Sequence, residues 1–443
     1  MKSDQTGRMR ARARDVVQDV AERLADPRYV AGHTTPVPPG LTGTLLAGGH
    51  AGVALLFAEL AHEDDRLRPM ADAHLAVCAG SLKSTAARVG LFSGLAGLGF
   101  ACGAVDADGG GARHAALRDK IRSAVDPAAL RLSTTVRDRL RGAGGLQMLD
   151  YDLLYGLTGL GVYLLAESGS GSESGSGSSD DATLHSVLDT LRHVDGTRDA
   201  DGIPIPAWTV GQRTPASPHG YVSLGLAHGV AGPLALLSTA LLHGVQRPGL
   251  SRSVEGLAEW CLTQLRDDSQ GRPAWPRLLE IDATGQAAPT DPATLLGWCY
   301  GSASVAAALH QAARALGRDD WARRATAVLL DAFRNTDDLA RVTEPHLCHG
   351  WAGLLQIVLR VDNPDSPEPE LSALADTLAE RLLDRYDPAA PFGFRTDLGL
   401  PHGRQDEPGF LLGAAGNALA LHTYATGRRP AGRWDMALLL GGR

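Results

Sequence analysis

The stretch GLAHGVAGPLALLSTALLHGV, residues 225–245, decides the fold. After its second glycine it is apolar on nearly all sides, which is the pattern of a helix buried inside a large fold rather than laid on its surface. Gly and His break it too early for a bilayer span. Its opening, G-x-x-G, recurs along the chain as GHAG at Gly49–Gly52, GLAG at Gly94–Gly97, GLTG at Gly156–Gly159, GVAG at Gly229–Gly232, GWAG at Gly350–Gly353 and GAAG at Gly413–Gly416. A seventh copy, GSAS at Gly301–Ser304, keeps the small residues but lacks the second glycine. The first glycines are spaced roughly 45 to 75 residues apart, room for two helices and their loops in each repeat.

Between the buried helices lie amphipathic segments such as SVEGLAEWCLTQLRD (253–267) and DDWARRATAVLLDAFRN (319–335), each with one apolar stripe and one charged face. Seven buried helices alternating with seven half-exposed ones predict an all-α fold, a seven-fold α/α toroid with a double ring of inner and outer helices. An open α-solenoid with glycine-capped helices is the alternative, and the irregular repeat spacing favours the closed ring. The glycines suit either, because without side-chain bulk the ends of packed helices can approach closely. The pattern covers residues 1–443 as a single domain.

Three stretches interrupt it. Residues 167–181, ESGSGSESGSGSSDD, are low-complexity and read as a disordered surface insertion. Residues 103–150 carry a Gly-rich turn and an Arg/Asp-rich helix. Residues 196–223, with Pro204, Pro206, Pro215 and Pro218, read as extended or looping.

Composition narrows the function. Of 443 residues, 44% are hydrophobic and 21% charged, a globular profile. The net charge of −8 gives no basic face for nucleic acid, and 5% aromatics cannot build a site of stacked rings. The N-terminus, residues 1–26, has no apolar signal core and reads as a charged amphipathic helix. No run of 18 apolar residues occurs, and five cysteines are too few and odd in number for a disulfide framework. A soluble, cytoplasmic protein is expected.

Aligning the repeats on their first glycine brings the reactive residues into register. His228 stands one residue ahead of Gly229, Cys299 two ahead of Gly301, Cys348 and His349 two and one ahead of Gly350, and Asp152 four ahead of Gly156. Repeats one, two and seven offer Gly48, Ser93 and Leu412 there, so the chemistry gathers on one side. Cys299, Cys348 and His349 make a Cys2His set suited to zinc with an open fourth position. Helix N-termini favour the thiolates such a site needs. Each of the three could instead be an ordinary core residue; the shared offset and the adjacent histidine argue for the metal.

His228 could serve as a fourth ligand or, better, as a proton donor or acceptor beside the metal. Asp152 would orient that imidazole, or else cap the third inner helix. Tyr300 would hydrogen-bond a developing oxyanion, or else pack. His50, His243, His310, His346 and His402 lack the shared offset and read as structural or surface residues.

These motifs resemble the lanthionine synthetase C-like proteins, the cyclases of lanthipeptide biosynthesis. The resemblance rests on GYVSLGLAHGVAGPLALL (220–237), GWCYGSASVAAAL (297–309), LCHGWAGLLQI (347–357) and YDLLYGLTGLGVYLL (151–165), and the glycine repeat extends it over nearly the whole chain. It implies a seven-fold α/α toroid with Zn2+ on Cys299, Cys348 and His349, an acid/base His228, and Asp152 and Tyr300 as its companions. The implied reaction adds cysteine thiols of a dehydrated precursor peptide, leader plus core, to dehydroalanine or dehydrobutyrine, forming lanthionine or methyllanthionine. The chain has no room for a dehydratase or kinase domain, so a separate dehydratase is expected to supply the substrate. Two departures stand out: Ser302, Ala303 and Ser304 follow Gly301 where many relatives have Pro-Gly, and Leu295 stands where many have arginine.

Other classes fit less well. Toroidal prenyltransferases use an Asp/Cys/His set and an aromatic-lined pocket. Toroidal glycosidases need facing carboxylates, and only Asp152 has a favourable offset. A non-catalytic zinc or thiol-binding scaffold within a peptide-modifying complex remains the alternative to the cyclase.

Overall fold

The computed structural model of the protein describes residues 2–35, 45–80, 88–107, 113–142, 144–169, 181–193, 196–212, 217–289, 296–365, 367–399 and 403–441. The core of the low-complexity stretch (170–180), Pro215, Leu295 and His402 lie outside the described residues.

Each G-x-x-G copy opens a helix, the GSAS copy included. Among the described residues, fourteen principal helices follow in chain order: α1 (Lys2–Leu24), α2 (His50–Ala61), α3 (Arg68–Gly80), α4 (Leu95–Asp106), α5 (Ala115–Arg141), α6 (Leu157–Gly169), α7 (Ala182–Arg192), α8 (Ala231–Leu242), α9 (Leu250–Thr263), α10 (Ser302–Leu316), α11 (Asp319–Arg334), α12 (Trp351–Val361), α13 (Pro369–Leu383) and α14 (Ala414–Thr426). The even-numbered helices from α2 to α14, α6 and α8 among them, are those begun by the repeat. Every residue of α2 is buried, as is nearly every residue of α14. The amphipathic helices keep one buried stripe: in α11 it is Trp321, Ala325, Val328, Leu329 and Phe333, at helical spacing.

The chain forms two compact units, Met1–Arg122 with Val342–Asp435, and Ser123–Arg341 with Met436–Arg443. In the first, α2 packs on α3, α12 on α13, and α14 on α1. The N-terminal helix is therefore the amphipathic cover of the last apolar helix: Ala13, Val16, Val17, Val20 and Leu24 are buried, and Arg14 donates to Ala425 O at 2.9 Å. In the second, α6 packs on α7, α8 on α9, and α10 on α11. The expected extended stretch holds β1 (Thr197–Ala200), antiparallel to β2 (Ile203–Pro206), and β3 (Tyr221–Ser223). Further on come β4 (Arg266–Asp267), paired with β5 (Pro273–Ala274), then β6 (Leu278–Ile281) and β7 (Ala287–Pro289), with β6 between β3 and β7.

The repeat glycines answer to their own entry loops before they answer to neighbouring helices. A Cβ on Gly94 would run into the carbonyl of Arg88, and one on Gly97 into that of Leu91; Gly413 and Gly416 face Glu407 and Phe410 in the same way. The loop folds back over the first turn of its own helix, and glycine leaves room for it. Ser304 replaces the second glycine in the fifth repeat, and its hydroxyl accepts the N–H of Leu226 at 2.7 Å. Here the side chain has a bonding role in place of clearance.

Main-chain hydrogen bonds hold the entry loops in register within each unit. In the first, Cys348 N–H donates to Leu411 O (3.2 Å), Leu411 N–H to Ala47 O (2.8 Å) and Ala47 N–H to Phe92 O (3.2 Å). In the second, Leu153 N–H donates to Ala227 O (2.9 Å) and Ala227 N–H to Cys299 O (3.4 Å). All of these except Leu153 stand two residues before their repeat's first glycine. The offset used to align the sequence is thus a hydrogen-bonded level in each unit.

Candidate metal centre and its acid/base neighbours

Cys299 and Cys348 occupy that level, and their main-chain groups are among those that hold it. Gly225 presses directly on the loop bearing Cys299: a Cβ there would collide with Cys299 O and with the Tyr300 ring. Gly301, which follows, has φ +89°, a conformation reserved in practice for glycine. Both backbone constraints fix the Cys299–Tyr300 pair before any ligand arrives.

Cys299, Cys348 and His349 have ligand atoms within 4.8 Å of one another, with Cys299 buried, Cys348 half-buried and His349 exposed. Two thiols and an imidazole at that separation are a donor set that suits a borderline-soft cation such as zinc. Other cysteines contrast with them. Burial pushes the thiols of Cys78 and Cys261 up to about 12, which keeps them protonated and unreactive. His346, expected to be structural, is fully buried. Its ring stands perpendicular to that of His349 with centroids 4.3 Å apart, and its Nδ1 accepts the His349 N–H at 3.4 Å.

In the second unit, Asp152 and His228 meet. The Asp152 carboxylate is fully buried and uses both oxygens: Oδ1 accepts the N–H groups of Tyr155 (2.8 Å) and Gly156 (2.7 Å), and Oδ2 pairs with His228 Nδ1 at 2.8 Å. The two readings of Asp152, helix-entry acceptor and partner of the imidazole, are both realised on one side chain. A carboxylate in that environment is tolerated only with such compensation. The contact leaves Nε2 as the ring nitrogen that Asp152 does not engage, on a side chain that is 19% exposed. Tyr300 flanks His228 with ring centroids 5.9 Å apart.

His50 is buried against His74, while His243 and His310 are half-buried at or near the C-terminal halves of α8 and α10. One residue escaped the sequence reading: Tyr155 stands one position before Gly156, the offset of His228, Tyr300 and His349 in their repeats.

Known proteins bear on the chain in three ways. The family model described as lanthionine synthetase C-like protein matches residues 42–439. The nisin biosynthesis protein NisC of Lactococcus lactis subsp. lactis is 22% identical over 367 residues, covering 79% of this chain and 81% of the relative. Among solved structures, a nisin cyclase superposes with a TM-score of 0.71 at 19% identity, covering 96% of this chain and 97% of that one. At that identity the likeness shows the fold, an all-α, α/α toroid. Among the described residues, no helix is long and apolar enough to cross a membrane.

Proposed function

Because the chain belongs to the lanthionine synthetase C-like family, we propose that it is a zinc-dependent lanthipeptide cyclase, working as one domain over residues 1–443. It would add cysteine thiols of a dehydrated precursor peptide to dehydroalanine or dehydrobutyrine and so close thioether rings. The observation that carries this reading is the clustering of Cys299, Cys348 and His349 within 4.8 Å. The similarity to a protein named for nisin biosynthesis and to a nisin cyclase supports the peptide substrate.

In this reading Cys299, Cys348 and His349 hold Zn2+. When bound, the metal lowers the pKa of an incoming cysteine thiol so that it attacks as a thiolate. The sulfur bonds to the β-carbon of the dehydro residue, and the displaced π pair moves through the α-carbon onto the carbonyl oxygen, giving an enolate. Tyr300 donates a hydrogen bond to that oxygen. His228 Nε2 delivers a proton to the α-carbon, and the proton lost by the thiol balances it, so that no atom leaves the peptide. Asp152 keeps the other proton on His228 Nδ1 and stabilises the ring while it is charged. The substrate arrives from a separate dehydratase, and the work is done in the cytoplasm.

The test is metal content together with free thiols. Wild type should carry one zinc per chain, and Cys299→Ala and Cys348→Ala should each lose most of it. Free thiols of a dehydrated precursor should fall with time only in the presence of wild type. Full zinc in either variant would refute the ligand assignment. Bound zinc with persistent thiols would replace the cyclase by a thiol-binding scaffold.

A further inference from the structure

We propose that Tyr155 is a substrate-contacting residue: its ring forms an apolar subsite beside His228 that takes a large apolar side chain next to the dehydro residue of the peptide. The inference rests on the cyclase reading and deepens it, since it names what the site selects.

The placement follows from repeat geometry inside one unit. Tyr155, His228 and Tyr300 share one position, immediately before the first glycine of three successive repeats. The Leu153–Ala227–Cys299 hydrogen bonds hold those three loops in step. Tyr300 stands beside His228 from the fifth repeat, and Tyr155 holds the same offset in the third repeat, on the other side of the His228 loop in chain order. Its main chain is fixed by the very carboxylate that holds the imidazole, through Tyr155 N–H to Asp152 Oδ1 at 2.8 Å.

Its side chain is among the few large hydrophobic ones left exposed in the described residues. Tyr151 and Tyr163 of the same repeat are wholly buried, yet Tyr155 is 42% exposed and Leu149, on the short helix leading into Asp152, is 50% exposed. An aromatic ring held partly in water, on the loop whose main chain the His228-binding carboxylate grips, offers an apolar surface to a bound peptide. The peptide carbon that receives the proton from His228 must come within reach of Nε2. The side chain next in the peptide then falls on a neighbouring repeat, and the third repeat presents Tyr155.

Two dehydrated precursor peptides that keep the leader test it, each with one cysteine and one dehydroalanine, differing only in phenylalanine or serine beside the dehydroalanine. Wild type should favour the phenylalanine peptide in kcat/KM by about tenfold, chiefly through KM. Tyr155→Ala should erase the preference while keeping zinc content and circular dichroism, and Tyr155→Phe should retain it. Should the alanine variant fold poorly, Tyr155→Gln is read in its place by the same criterion. A wild type that cyclises both peptides equally, an alanine variant that still discriminates, or a phenylalanine variant that loses the preference would each overturn the subsite. A wild type that cyclises neither peptide would refute the cyclase reading itself, and the subsite with it.

Discussion

Asp152 shows how much one side chain can settle. One oxygen secures the entry to α6 and the other secures His228, so substitutions should separate the two roles. Asp152→Asn keeps an acceptor for the Tyr155 and Gly156 N–H groups but removes the charge; ring closure should slow about a hundredfold or more with little change in the urea midpoint. Asp152→Ala loses the acceptor as well and should also cost about 1–3 kcal/mol of stability. Rates and denaturation curves measured on both variants check this, and equal stability losses would merge the roles. Glu407 offers a second residue-scale prediction. Burial, reinforced by nearby Asp406, pushes its carboxyl up to about 7, and Oε1 has no hydrogen-bond partner. The folded state then holds this proton more tightly than the unfolded chain, so stability falls as pH rises between the ordinary value and about 7. Glu407→Gln should be more stable than wild type at pH 8 by up to about 3 kcal/mol and equal to it near pH 4, as read from urea denaturation.

Between elements, two buried polar links join helices that the hydrophobic pattern treats as separate. His50 at the start of α2 shares a proton with His74 of α3, Nδ1 to Nδ1 at 2.8 Å, and His74 Nε2–H donates to Leu24 O at the end of α1. Only one proton fits between the two rings, and burial, with His50 adding to it, lowers His74 to about 4. The unfolded chain takes up that proton at higher pH than the folded one, so the stability this group contributes is present above about 6.5 and is lost as pH falls toward 4. The loss should approach 3 kcal/mol in total. His74→Gln should flatten this acid limb in a series of urea curves; an unchanged limb would place the effect elsewhere. Asp435 is the other link. It is fully buried, pairs with Arg360 of α12 at 2.7 Å and accepts from Gln356 Nε2 at 2.7 Å. Asp435→Ala strands a buried guanidinium and should cost about 3–5 kcal/mol by calorimetry.

For the molecule as a whole, the pairing of α1 with α14 matters most, because residues at the start of the chain cover a helix near its end. Removing residues 1–24 would bare the apolar surface that Val16, Val17 and Val20 now cover, and the truncated chain should aggregate or bind a hydrophobic dye where the full chain does not. Much of this fold was readable beforehand. The glycine punctuation and the two kinds of helical apolar pattern marked all seven repeat-begun helices, since clearance and amphipathicity are properties of a few consecutive residues. The shared offset of Cys299 and Cys348 was readable for a related reason: repeats place equal offsets at equal levels, and the main-chain hydrogen bonds at Cys299 in one unit and at Cys348 in the other are the physical form of that rule. What no local pattern contains is which distant groups meet. That Asp152 both secures its own helix entry and grips His228, that His346 stands against His349, that Tyr155 is left in water and that the first helix covers the last all depend on how whole helices pack. Such contacts join residues far apart in the chain, and their geometry exists only once packing has fixed every intervening turn.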